Sequence, residues 1–124
     1  MLEFAAFTSM SESYYQRTGK HMITSYRRFW QGLMPLYVYN EDNFNINENW
    51  INYRGWDLGK EYEQFQTRHQ NNRVKTFAKK GFSIIDAMNK LPAVKMLWLD
   101  ADVIINQSMD KEVLRRLLPD HTLS

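Results

Sequence analysis

Residues 95–105 read Lys-Met-Leu-Trp-Leu-Asp-Ala-Asp-Val-Ile-Ile, "KMLWLDADVII". Apart from Lys95 and the two aspartates the run is apolar and carries no helical period. It is therefore expected to be a strand over 95–105, covered on both faces as a central parallel strand is. Asp100 and Asp102 interrupt it one residue apart. In an open α/β sheet, carboxylates at the carboxyl end of such a strand stand where ligands bind. Two of them at i and i+2 point the same way if the strand stays extended, and converge if it turns.

Working outward, the other segments alternate in type. Leu2 to Phe7 is a short apolar strand that runs into a polar turn at Thr8-Ser9. Ser11 or Ser13 can cap a helix spanning Tyr14 to Trp30, with Gly19 as a point where it could break and Gln31-Gly32 as its stop. Met34 to Tyr39 is a second strand, entered through Pro35 and closed by Asn40-Glu41-Asp42-Asn43. Residues 43–58, rich in Asn and aromatics, have no clean period and read as an irregular loop with a short strand near Trp50 to Tyr53. A mostly polar helix follows over Lys60 to Gln70. A more amphipathic one runs over Arg73 to Asn89, with Val74, Phe77, Phe82, Ile85 and Met88 as its apolar face. Ser108 can cap a last helix from Met109 to Leu118, which Pro119 ends. This order predicts an α/β fold with a mostly parallel sheet flanked by helices.

Length and composition bound the function. With 124 residues the chain supports one domain and one core. A formal charge of +2, with Arg and Lys spread along the chain, argues against nucleic acid as a partner. The absence of Cys removes disulfides, thiolate catalysis and Cys-bound zinc. No run approaches the ~18 apolar residues of a membrane span. The N-terminal MLEFAAFTSMSE lacks the basic region of a signal peptide, so the expected location is cytoplasmic. Aromatic content of 15% suits a core, and equally a surface that meets flat ligands.

Close carboxylates repel one another unless they are exposed, share a proton or hold a cation between them. Hard divalent ions such as Mg²⁺ or Mn²⁺ take carboxylate oxygens and keep positions open for substrate phosphates. Asp100 and Asp102, with the small Ala101 leaving room between them, thus read as a metal and diphosphate site at a strand end. The competing reading is an ordinary turn or cap, since Asp-x-Asp is only three residues long.

"LWLDADVII" resembles the Asp-x-Asp strand of nucleotide-sugar glycosyltransferases of the GT-A fold. The likeness extends, as pattern similarity, to FTSMSESYYQRTGKHMITSYRRFW (first strand, nucleotide-binding turn and helix), LMPLYVYNED (second strand) and RVKTFAKKGFSIIDAM (helix before the motif). It implies a Rossmann-like GT-A nucleotide-binding half. Asp102 would be a direct ligand of Mn²⁺ or Mg²⁺, and Asp100 would contact the ribose or the metal and its waters. Thr8 and Ser9 would line the nucleotide pocket, and Glu41 or Asp42 could accept hydrogen bonds from base or ribose. Lys80 could reach a phosphate, or Lys75, Arg73 or Lys79 in its place. Trp98 reads as core. His121 is either a third metal ligand or a solvated side chain of a polar tail. The donor implied is a nucleotide sugar, with UDP-sugar favoured by family frequency, and the acceptor is unknown. No catalytic base is assigned. A full enzyme of that fold continues well past the motif, whereas this sequence ends at Ser124. The expectation is therefore a metal-dependent glycosyltransferase or its N-terminal half, transferring or hydrolysing the sugar, with the missing sheet edge a place for self-association. The alternatives are a non-catalytic nucleotide- and metal-binding module of the same fold and an Asp-x-Asp phosphohydrolase.

Overall fold

Residues 2–118 are described by the computed structural model of the chain. Four strands, β1 (Leu2–Met10), β2 (Leu36–Asn40), β3 (Asn52–Arg54) and β4 (Ala93–Trp98), form one all-parallel sheet in the order β3-β2-β1-β4. Helix α1 spans residues 12–29, α2 is Lys60–Arg68, α3 is Asn72–Lys90 and α4 is Lys111–Leu117. The expected α/β class with a parallel sheet flanked by helices, consistent with a Rossmann-like fold, is thus present.

The pleat sorts the core into two layers. Phe4, Ala6 and Met10 of β1, with Leu36 and Val38 of β2, pack beneath Met22, Ile23 and Tyr26 of α1 and Leu114 of α4. On the other face Phe7 and Tyr39 meet Ala87 of α3 and Leu91 just past its end. β1 is buried on both faces because it sits between β2 and β4. It runs through Thr8 and Ser9 to Met10, so the polar pair belongs to the strand and not to a turn. Thr8 pairs with Val38 in the register and is fully buried.

Gly19 does not break α1. The helix passes through it in a π-helical stretch, Tyr15–Gly19, between α-helical Glu12–Tyr14 and Lys20–Phe29. A Cβ at Gly19 would lie 2.7 Å from the Met10 sulfur, so glycine is what lets α1 close onto β1. Ser11, one of the two expected caps, accepts from the Tyr14 N–H at 3.1 Å.

β4 differs from the expected strand over 95–105 in two ways. It lies at the edge of the sheet next to β1, not at its centre, and it ends at Trp98. One further backbone bond joins Leu99 to Phe7 (2.9 Å) before Asp100–Val103 close a turn, with the Val103 N–H donating to the Asp100 carbonyl at 3.0 Å. Carboxylates cannot stay in a covered strand without partners, so the chain turns and turns them out. Ala101 and Ile105 fall back into the α1-side core, where the Ile105 N–H meets Ser25 Oγ at 3.0 Å. Smallness at Ala101 therefore serves burial as much as ligand space.

The face assigned to α3 is also corrected. Val74, Phe77, Ile85 and Met88 are exposed, while Ser83 and Ala87 are buried against the sheet. Large aromatics already fill the sheet's surface here, and only small helix residues permit close approach. Phe82 turns sideways to meet Tyr62 (5.3 Å) and Phe65 (5.8 Å) of α2. Asp110, not Ser108, caps α4. Pro119 lies outside the described residues.

Candidate functional site

The chain builds β1, β2 and β3 to one side and then returns to place β4 on the other side of β1. The strand order therefore reverses between β1 and β4. At such a switch point the connections leave their carboxyl ends in opposite directions and a crevice opens there. A cleft of about 440 Å³ occupies that position, lined by Ser9 and Met10 of β1, Ser11 and Tyr14 at the start of α1, Glu41, Trp98 and the Asp100–Asp102 turn, with Lys79 and Lys80 of α3 forming the opposite wall.

Asp100 is held from two sides. The Trp98 indole Nε1 donates to its Oδ1 at 2.6 Å, and the Lys80 ammonium stands 3.2 Å from the same oxygen. Lys80 also lies 5.4 Å from the Trp98 ring centroid, on the electron-rich face of the indole. The Trp98 hydrogen bond, reinforced by Lys80, keeps the Asp100 carboxyl below the ordinary aspartate range. Both aspartates of the turn are exposed.

Glu41 forms a second charged point across the cleft. Its backbone N–H extends the β1 pairing by donating to the Met10 carbonyl at 3.0 Å, and its carboxylate lies 3.2 Å from Lys79 Nζ. Burial pushes the Glu41 carboxyl up, and Lys79 only partly offsets that.

Five of the seven residues singled out in the sequence, Ser9, Glu41, Lys80, Asp100 and Asp102, thus share one cleft. Thr8 and Asp42 are not brought into it. Thr8 points into the core, its hydroxyl without a hydrogen-bond partner. Asp42 accepts from the Glu12 N–H at 2.8 Å and secures the start of α1. Among the other basic candidates, Lys79 reaches the cleft and Arg73 and Lys75 do not line it. His121 lies outside the described residues.

The sequence places Trp98 in the core and Phe77 on the apolar face of its helix and gives Tyr14 no site role, yet all three line the cleft. Trp98 keeps a core role through its edge contact with Phe7 (5.2 Å). Its i, i+2 relation to Asp100 was the available signal, since alternate residues of a strand share a face.

Among the described residues no group of three or more His, Asp and Glu gathers to hold a metal, and no helix is long and apolar enough to cross a membrane. No known protein family, curated protein or solved structure matches this chain.

Proposed function

We propose that this cleft binds the diphosphate of a nucleotide sugar together with a divalent cation, as the donor site of a metal-dependent glycosyltransferase. One observation carries the reading: the Asp100–Asp102 turn lies at the switch point of a parallel sheet and shares a single cleft with Lys79 and Lys80. Acidic groups for a cation and basic groups for phosphate therefore share one cleft, at present paired as Lys80 with Asp100 and Lys79 with Glu41. The resemblance of LWLDADVII to the GT-A motif supports the choice of a sugar nucleotide over other diphosphates.

The donor set fits Mn²⁺ or Mg²⁺. It is hard oxygen throughout, and two exposed carboxylates leave several coordination positions to water and to the diphosphate itself. With no third acid or imidazole gathered nearby among the described residues, cation and nucleotide are expected to bind together. Bound there, a divalent ion would neutralise charge on the departing diphosphate. Lys80 would exchange its contact with Asp100 for a phosphate oxygen, adding a second cation on that side. Ser9 and Ser11 offer hydroxyls to the ribose or phosphates, and Glu41 offers an acceptor to ribose or base. Tyr14 and Trp98 provide ring faces for a flat group.

Calorimetric titration with UDP, GDP, ADP and CMP, with and without Mn²⁺, tests this. Metal-dependent binding of one nucleoside diphosphate is the expected result, with UDP first among the four on the family resemblance. Absence of binding by all four, with and without metal, overturns the proposal. Hydrolysis or transfer of the matching sugar nucleotide then separates an enzyme from a non-catalytic binding module of the same fold.

A further inference from the structure

Phe77 is 65% exposed, and it lines the same cleft as the Asp100–Asp102 turn. A single exposed apolar side chain on an open surface is ordinary. This one borders a concave site instead, and it belongs to neither hydrophobic cluster of the described residues. Packing within the chain therefore does not account for the ring, and a ligand in the cleft would meet it.

Two neighbours on α3 fix the side of the cleft on which Phe77 stands. The helix is the crossover into β4 and runs against the direction of the strands, so its first turns lie near their carboxyl ends. Lys79 reaches Glu41 just past β2, and Lys80 reaches Asp100 just past β4. At 100° per residue, Phe77 lies about 60° around the helix from Lys80 and about 160° from Lys79. It is thus on the β4 side, with its Cβ about 5–6 Å from that of Lys80.

A sugar nucleotide has an organic group at each end of its diphosphate. In the proposed donor site Glu41, the acceptor for ribose or base, stands on the β2 side, and the cation with the diphosphate stands at Asp100 and Asp102 on the β4 side. The base is then separated from Phe77 by the ribose and the diphosphate. The sugar is joined directly to the distal phosphate, beside Lys80. We propose that Phe77 is the platform for the transferred sugar, and that this sugar is a neutral hexopyranose which lays a face of C–H groups on the phenyl ring. The inference rests on the donor-site reading above and adds to it the class of the transferred group. A phenyl ring offers no hydrogen bond to hydroxyls, but its electron-rich face attracts weakly positive C–H edges, and the contact removes apolar surface from water on both sides.

The test compares each diphosphate with its hexose conjugate: UDP with UDP-glucose, GDP with GDP-mannose and ADP with ADP-glucose, titrated calorimetrically into the full chain in Mn²⁺. For the pair that binds, Phe77→Ala should weaken the conjugate about two- to tenfold and leave the diphosphate unchanged. Phe77→Tyr, which keeps the ring, should behave as the wild type with both. The side chain is exposed, so the fold tolerates either change. An equal loss for diphosphate and conjugate would put the base on the ring, overturning the proposal while the donor site stands. The proposal also fails if Phe77→Ala weakens neither ligand, or if the wild type binds a diphosphate but not its conjugate. A wild type that binds no ligand of the panel overturns the donor-site reading and this inference with it.

Discussion

The indole N–H of Trp98, the last residue of β4, donates to Asp100 Oδ1 at 2.6 Å, so the strand end itself orients the first carboxylate of the turn. The same bond lowers the Asp100 pKa, and the hydrogen bond and charge of the neighbouring Lys80 act in the same direction. Trp98→Phe retains the ring packed on Phe7 and removes the donor. Its expected effect is a rise of the Asp100 pKa toward the ordinary 3.8, followed through the side-chain carboxyl carbon shift on acid titration. The sign follows from linkage. A depressed folded pKa contributes stability that is present above 3.8 and lost as pH falls through the folded value, and the variant should lose that acid-side dependence. An unchanged Asp100 titration would show that Lys80 alone sets it.

A divalent ion bound as proposed would compete with Lys80 for Asp100, because the ammonium lies 3.2 Å from the oxygen a metal would use. Lys80→Gln should therefore tighten binding of Mn²⁺ alone by several-fold, up to about tenfold, and weaken binding of the nucleoside diphosphate by a similar factor. The opposite signs are the test, read in two calorimetric titrations. A fall in both would mean that Lys80 does not compete with the cation.

Asp102→Asn should abolish the metal-dependent part of nucleotide binding, a loss of more than about tenfold, with folding stability changed by less than about 0.5 kcal/mol. Asp102 is exposed, and a structural role for it would appear as a shift of the melting transition instead.

Thr8 carries a buried hydroxyl with no hydrogen-bond partner in the middle of the sheet. Replacing it with the isosteric valine removes an uncompensated polar atom, so Thr8→Val should stabilise the fold by about 1 kcal/mol in urea denaturation. Destabilisation would mean that the hydroxyl has a partner in solution.

Tyr39 donates its buried hydroxyl to Asp86 at 2.5 Å, and Asp86 also holds Lys90 at 2.9 Å and Arg54 at 3.9 Å. Burial and this carboxylate push the Tyr39 pKa up, so the phenol stays protonated at any ordinary pH. Tyr39→Phe leaves a nearly buried carboxylate one donor short and should cost about 1–3 kcal/mol of stability without affecting nucleotide binding.

Local sequence rules carried the α/β class and the parallel sheet, and they point to Asp100 and Asp102 as the pair to test. These depend on local rules: alternation of segment type, strand propensity and the cost of placing carboxylates in an apolar run. The face of α3 was misread because its largest apolar residues were taken as its core side. Core contact there is instead decided by what the sheet presents: beside Phe7, Tyr39 and Trp98 only Ser83 and Ala87 of α3 are fully buried, and Ile84 packs in part. Gly19 was misread for a similar reason, since its partner Met10 sits on another element.

The sequence by itself determined which residues carry charge into an apolar setting, and hence that Asp100 and Asp102 are the pair to propose as a site. Only the tertiary structure decided what stands around them. Strand order put the end of β1 beside the end of β4, and α3 laid Lys79 and Lys80 across from both. A strand's neighbours are fixed by crossover connections and side-chain volumes spread along the whole chain, and no local stretch of residues encodes them.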